Sequence, residues 1–441
     1  EFDLSESSLP KLNYQFESIK SKDVNSDALG NWWRNKASTE YAFWKITPSF
    51  LYEGEKKNQN SIISDTLQLG SFSFNEYSPK LAIKDLYTMS LGMEYKWRDE
   101  NRFYQRSLIR ESNTFTQIYS LSAQPLRTLS TNADLTIRKR SYTDEFKVAA
   151  GGNTESILIR WMTRFAAFDR GIESDLLYDA STQRSAKLER VFQRVPKGTG
   201  YYVYIGDADS NGIATEDEFR PARFDGDYIL LTIPSDNLSP VIDLKLSTRL
   251  RIVPSKFIPE SNWVGQSISA FSCETYLRIE EKSTEPIQRN IYFLNMKHFL
   301  NDKTTVSGSN SVTQDLFLFE QSQEFSMRFR FQQRKGLTQY AFGSERNYNR
   351  ERSVRVRWQL VKEIANQTDY ENKADQVTVS KSSYRVRNIR GNSLTSDWAY
   401  RPEKNIELGL KFSVGKAENH SESSSSIADI NTQGLRLIYS I

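Results

Sequence analysis

Hydrophobic and polar residues alternate with a period of two along much of this chain. Met89, Leu91, Met93, Tyr95 and Trp97 are separated by Ser90, Gly92, Glu94 and Lys96. Ile242, Leu244, Leu246, Thr248, Leu250 and Ile252 alternate with Asp243, Lys245, Ser247, Arg249 and Arg251. The same pattern runs through Phe325–Phe331, Val354–Leu360 and Ile406–Val414. Successive side chains of a strand point to opposite faces, so each segment has one apolar and one charged side. Weaker versions lie at Leu12–Ser18, Thr39–Tyr52, Phe115–Ala123, Ser156–Phe168, Phe271–Ile279, Val377–Ile389 and Gly434–Ile441. One-sided strands in series predict an all-β chain folded as a large antiparallel meander, because parallel strands are usually buried on both faces.

The stretches Gly54–Asp65, Asp99–Ser112, Asn301–Ser311, Gly343–Arg352, Ala365–Gln376 and Ala417–Ser426 are rich in Asn, Ser, Glu, Lys and Arg. They predict solvated loops, and the low-complexity run Ser421–Ser426 predicts a mobile one. Helical patterns are scarce. Ser185–Arg194 reads equally as a short helical turn or as extended chain.

Strand length separates two architectures. A soluble sandwich uses strands of about five or six residues, whereas a membrane-crossing strand needs about nine to eleven. Met89–Trp97 has nine residues, Ile242–Ile252 eleven and Ile406–Val414 nine. The expectation is a transmembrane β-barrel, or an open section of one. Tyr, Trp and Phe make up 12% of the chain, enough for the aromatic girdles such a barrel carries. A mean hydropathy of −0.62, 20 glycines, and Thr248 interrupting one apolar face keep a soluble or surface-exposed β assembly as the alternative.

Composition narrows the chemistry. No apolar run is long enough for a membrane-spanning helix. Lys and Arg number 59 against 55 Asp and Glu, a net charge of +4, too balanced for a dedicated nucleic-acid binder. The single cysteine, Cys273, excludes an intrachain disulfide framework. His298 and His420 are the only histidines, little material for histidine-centred catalysis. Carboxylate pairs for glycoside hydrolysis can be drawn from Asp99, Glu100, Glu173 and Asp175, yet that reaction requires a defined separation across a cleft, and spacing in sequence supplies none. The reading is non-enzymatic. Glu1 opens without a charged n-region or apolar h-region, so either a leader has been removed or the chain is a piece of a longer one.

The charged faces carry a recurring basic stripe: Arg328 with Arg330, Arg355 with Arg357, Arg385 with Arg387, and Lys245 with Arg249 and Arg251. In a barrel these residues line a wet lumen. For any one of them the simpler reading is pairing with acids such as Glu94, Asp243, Glu274 and Glu407.

One motif is sharp. Residues 207–218 read D-A-D-S-N-G-I-A-T-E-D-E and match the twelve-residue calcium loop. Asp207, Asp209 and Asn211 offer hard oxygens around a turn that Gly212 permits. Ile213 supplies a backbone carbonyl, Thr215 an oxygen or a held water, and Glu218 two carboxylate oxygens. Calcium is the cofactor this spacing predicts; an Asp/Asn/Gly turn held by side-chain hydrogen bonds is the alternative. The flanks are wrong for a helix–loop–helix sensor, since Gly198–Ile205 is aromatic and β-branched and Pro221 and Gly226 follow. Pro/Gly punctuation predicts residues 188–234 as a small inserted module carrying the loop, between barrel strands in residues 1–187 and 235–441.

The string V-P-K-G-T-G-Y-Y-V-Y-I-G-D-A-D-S-N-G-I-A-T-E-D-E-F, Val195–Phe219, resembles a segment of the SprA family, the gliding-motility and type IX secretion translocons of the Bacteroidota–Chlorobi lineage. The Arg-rich Ser353–Leu360 and the Tyr-Arg-Val-Arg of Tyr384–Arg387 are similar in style. The resemblance implies a very large outer-membrane barrel that passes folded protein, with outer-membrane lipid, secreted protein cargo or other barrel subunits as partners. This chain is far shorter than those proteins and ends inside an apparent strand, which fits a fragment of barrel. The functional expectation is an outer-membrane conduit or surface platform; the alternative is a calcium-stabilised extracellular adhesin or surface-structure protein.

Overall fold

The computed structural model describes residues 2–4, 9–25, 27–150, 152–207, 215–259, 261–340, 343–380, 385–403, 405–421 and 425–439. The chain forms two compact units, residues 1–163 with 179–182, and residues 164–178 with 183–441.

In the first unit, strands β1 (Phe2–Leu4), β2 (Lys11–Asp23), β3 (Ala28–Glu40), β4 (Ile46–Ser61), β5 (Phe72–Leu86), β6 (Met89–Tyr104), β7 (Ser107–Leu126) and β8 (Leu129–Tyr142) follow in an antiparallel meander. A four-residue helix, α1 (Asp144–Lys147), precedes β9 (Thr154–Ala167). Cross-strand neighbours continue the apolar side from strand to strand: Trp97 lies between Tyr77 and Phe115, and Met93 between Leu81 and Tyr119. Trp97 and Phe115 rings are 5.3 Å apart.

The second unit takes up β10 (Ile172–Arg194), β11 (Gly200–Tyr204), β12 (Phe219–Gly226) and β13 (Tyr228–Ile252). After helix α2 (Trp263–Ser269) come β14 (Phe271–Ser283), helix α3 (Arg289–Tyr292), β15 (Thr305–Leu318), β16 (Phe325–Tyr340), β17 (Gly343–Val361), β18 (Ile364–Val379), β19 (Arg387–Glu403), β20 (Ile406–Asn419) and β21 (Ser426–Tyr439). From β13 to β21 each strand pairs antiparallel with the next. The all-β antiparallel meander expected from the period-two pattern is therefore the fold.

Among the described residues, large apolar side chains along these rows stay exposed. Phe329, between Leu316 and Val354, is 40% exposed; Trp358 is 51%, Leu410 47% and Trp97 41% exposed. Among the described residues, one dry patch lies under a connecting segment. The segment between β14 and β15, residues 284–304, folds over the apolar side of β13–β16, where Leu244, Ile279, Ile291, Val306 and Leu337 are buried. The Tyr178 hydroxyl donates to the Tyr292 carbonyl at 2.7 Å and ties α3 to β10.

Several expectations are corrected. The polar stretches read as loops are mostly strand. Gly343–Arg352 lies wholly in β17 and Ala365–Gln376 in β18. Asp99–Ser112 turns only at Gln105–Arg106, whose φ angles of 45° and 71° are those of a tight two-residue hairpin. Gly54–Asp65, Asn301–Ser311 and Ala417–Ser426 each contribute to paired strands as well. Backbone pairing needs no apolar side chain, so a strand wetted on both faces leaves no alternating signal. Conversely, Thr39–Tyr52 is broken by a turn between β3 and β4 with Trp44 at a φ of 52°, and Val377–Ile389 is split between β18 and β19. Ser185–Arg194 is extended, within β10. That strand runs through the 187/188 position and β13 through 234/235.

Candidate functional site

The candidate calcium loop sits at the tip of the β11–β12 hairpin. Tyr204 pairs with Phe219 and Val203 with Arg220, and the Ile205 N–H donates to the Glu218 carbonyl at 2.8 Å. This closes the neck of the loop and carries Asp207 and Glu218 away from its two sides. Gly206, at a φ of 108°, turns the chain into the loop in a conformation that favours glycine. The exit is a single 3₁₀ turn, Glu216–Glu218, so strands flank this loop as the aromatic flanks predict. Asp207 is exposed, while Glu218 is 1% exposed and its Oε2 accepts from the Thr215 N–H at 3.1 Å. Asp209, Asn211, Gly212 and Ile213 lie outside the described residues. Among the described positions the donors are hard oxygens, and a buried carboxylate at the neck fits a cation of calcium's chemistry.

Beneath the loop is an aromatic core. Phe192 and Phe219 stack with centroids 3.6 Å apart, and Tyr202, Tyr204 and Tyr228 pack around them. Gly200 and Gly226 face each other so closely that a Cβ on Gly226 would fall 2.5 Å from the Gly200 carbonyl oxygen.

Beside this core lies a half-buried ion cluster that sequence reasoning did not find. Glu216 accepts from Arg190 at 3.0 Å and from Arg385 at 2.9 Å. Glu345 accepts from the same two residues, at 2.7 and 2.8 Å. The Arg190 guanidinium lies 3.8 Å from the centre of the Tyr340 ring, a favourable cation–π placement. Burial works against the Arg190 charge, but the Glu345 hydrogen bond and the Glu216 charge outweigh it and hold its pKa above the usual value. The exit of the candidate loop is thereby fastened to β10, to β17 and to Arg385. Of the cluster, only Arg385 was visible in sequence, as part of the basic stripe. Arg190 and Glu345 are 155 positions apart, and no local pattern links them.

Much of the rest of the stripe is paired. Arg330 binds Asp315 at 2.7 Å, Arg355 binds Asp369 at 2.5 Å, Arg249 binds Glu274 at 2.6 Å, and Arg251 binds Glu320 at 2.9 Å. Arg387 binds Asp375 at 2.9 Å. Arg328 differs: its Nε is buried without a hydrogen-bond partner, opposite Arg355 in register. Glu94 and Glu407 are likewise paired, with Lys96 and Arg401. The carboxylates considered for hydrolysis are each held by arginine: Asp99 by Arg110, Glu100 by Arg98 and Arg140, Glu173 by Arg170, and Asp175 by Arg164.

A second buried acid lies under the 284–304 segment. Glu281, 1% exposed, accepts from the Thr305 hydroxyl and from the Leu300 N–H at 3.3 Å.

No family model and no curated protein matches the chain. Solved structures are similar at low identity. The open form of the ferric-catecholate import receptor Fiu from E. coli K12 matches over 100% of this chain and 71% of its own, at 7% identity and a TM-score of 0.32. The FrpB iron transporter from Neisseria meningitidis matches over 92% of this chain and 62% of its own, at 9% identity and a TM-score of 0.35. For the siderophore receptor PirA from Acinetobacter baumannii the figures are 99%, 75%, 8% and 0.30. The chain spans less than two thirds of the FrpB transporter's length.

Proposed function

We propose that this chain is a non-enzymatic β-barrel, or a large section of one, in the outer membrane of a diderm bacterium, where it acts as a conduit or surface platform. The observation that carries this reading is the exposed apolar side of strand after strand. In water such rows would form a patch far larger than soluble monomers leave uncovered. Against acyl chains they are at home, and only strands closed on one another satisfy every backbone group there. The opposite sides, with their arginine–carboxylate pairs, suit a wet lumen. Passage of protein is the finer part of the proposal and rests on the resemblance of Val195–Phe219 to the secretion translocons. The reading is tested by mixing the purified chain with lipid vesicles and floating them. Co-flotation that resists carbonate and salt is expected; a stable, detergent-free monomer that stays with the aqueous fraction overturns it and favours a surface adhesin.

Calcium at residues 207–218 is the second element of the proposal. Asp207→Ala with Glu218→Ala is expected to lower calcium affinity and to speed proteolysis within residues 188–234. Equal cleavage of the native chain with calcium and with chelator would count against the site.

A further inference from the structure

On the apolar side of β15–β18 lies a groove of about 230 Å³ whose walls include Leu316, Phe329, Phe331, Val354 and Tyr370, with Arg352 at its edge. Arg352 pairs in register with Phe331, so the guanidinium stands where the apolar row ends. The polar extensions of the strands begin there. Arg350 follows on the same side of β17, about 7 Å further along, and its Nε is buried without a partner. Its Nη2 reaches only the Asn372 carbonyl oxygen, at 3.5 Å. Lys335 on β16 and Arg390 on β19 share this side, as their register with Tyr348 and Ala374 requires. Arg390 and Arg350 are two strands apart, about 10 Å.

Among the described residues, no salt bridge joins these four cations to an acid. Glu418 lies opposite Arg390 and is engaged by Lys416 at 2.5 Å and His420 at 3.3 Å. Asp302 is engaged by Arg346 at 2.7 Å. Glu351 and Glu371 project to the other side of the sheet, by strand alternation.

From this juxtaposition we infer a binding site for one anionic lipid, its phosphate held by Arg350, Arg352, Lys335 and Arg390 and one acyl chain laid in the groove. The inference rests on the membrane reading above. Guanidinium groups bind phosphate through paired N–H donors, and Asn372, linked to Asn392 at 2.7 Å, adds amide groups at the same level. A free phosphate would leave the groove unfilled, and a neutral lipid would leave the cations unmatched. Charge and shape together select the phosphorylated amphiphile.

The test uses the full chain in detergent, titrated with phosphatidic acid, phosphatidylcholine and inorganic phosphate and read by native mass spectrometry. Phosphatidic acid is expected to bind at least tenfold more tightly than phosphatidylcholine, and inorganic phosphate not to compete at equal concentration. Arg350→Gln with Arg352→Gln is expected to abolish the preference, since each basic residue near a lipid surface contributes about a fivefold factor. Arg334→Gln with Arg357→Gln, on the other side of the same strands, is expected to keep it. Equal binding of the two lipids, full competition by phosphate, or a preference that survives in the first double variant would each overturn the site. Flotation with vesicles is measured on the same variants; if it persists while the preference is absent, the lipid site fails and the membrane reading stands.

Discussion

Phe329→Arg is expected to cost about 2–4 kcal/mol of folding stability in lipid vesicles, the penalty for a cation on the lipid side of a membrane barrel near mid-depth. Phe329 stands in the middle of an exposed apolar row, between Leu316 and Val354, with no side chain above it to form a salt bridge. The measurement is urea unfolding in vesicles, followed by tryptophan fluorescence. Gln332→Arg, three residues further along β16 and on the opposite side, is expected to change stability by no more than about 0.5 kcal/mol. The contrast decides between solvents. If water covered both sides, the two variants would behave alike, and a water-exposed Phe329 would be exchanged for arginine at no cost.

Arg190→Met is expected to cost about 1.5–3 kcal/mol of local stability, because it removes charge-assisted hydrogen bonds to two part-buried carboxylates. Glu216 and Glu345 would then keep their bonds to Arg385. The side chains of the cluster are largely shielded from solvent, so salt would screen little of the effect. The consequence is expected in residues 188–234 and not across the meander: faster proteolysis there, and loss of hydrogen-exchange protection in β11 and β12. Adding Glu216→Gln and Glu345→Gln to Arg190→Met should recover part of the loss. Unchanged protection in the single variant would mean that the aromatic core of Phe192, Phe219 and Tyr228 holds the hairpin without help from the charges.

How much of this molecule could be read from its sequence depended on whether a strand face met something other than water. Ile406–Val414 and Val354–Leu360 announced themselves because one side is apolar and the other is not. The continuation of β17 through Gly343–Arg352, and β18 through Ala365–Gln376, was invisible, since both sides are polar and only backbone register defines them. The candidate calcium spacing is local, so it could be written down residue by residue. Its attachment could not be, because Glu216 is bound by residues from β10 and from position 385, brought together by the meander. Glu281 was hidden for a related reason: it follows Ile279 on the apolar side, and only the 284–304 segment, folded back over Leu244, turns that position from exposed to buried.

That folded-back segment has a further consequence. Whatever surrounds the strands meets this segment first and does not reach Leu244 and Ile279, which are buried beneath it.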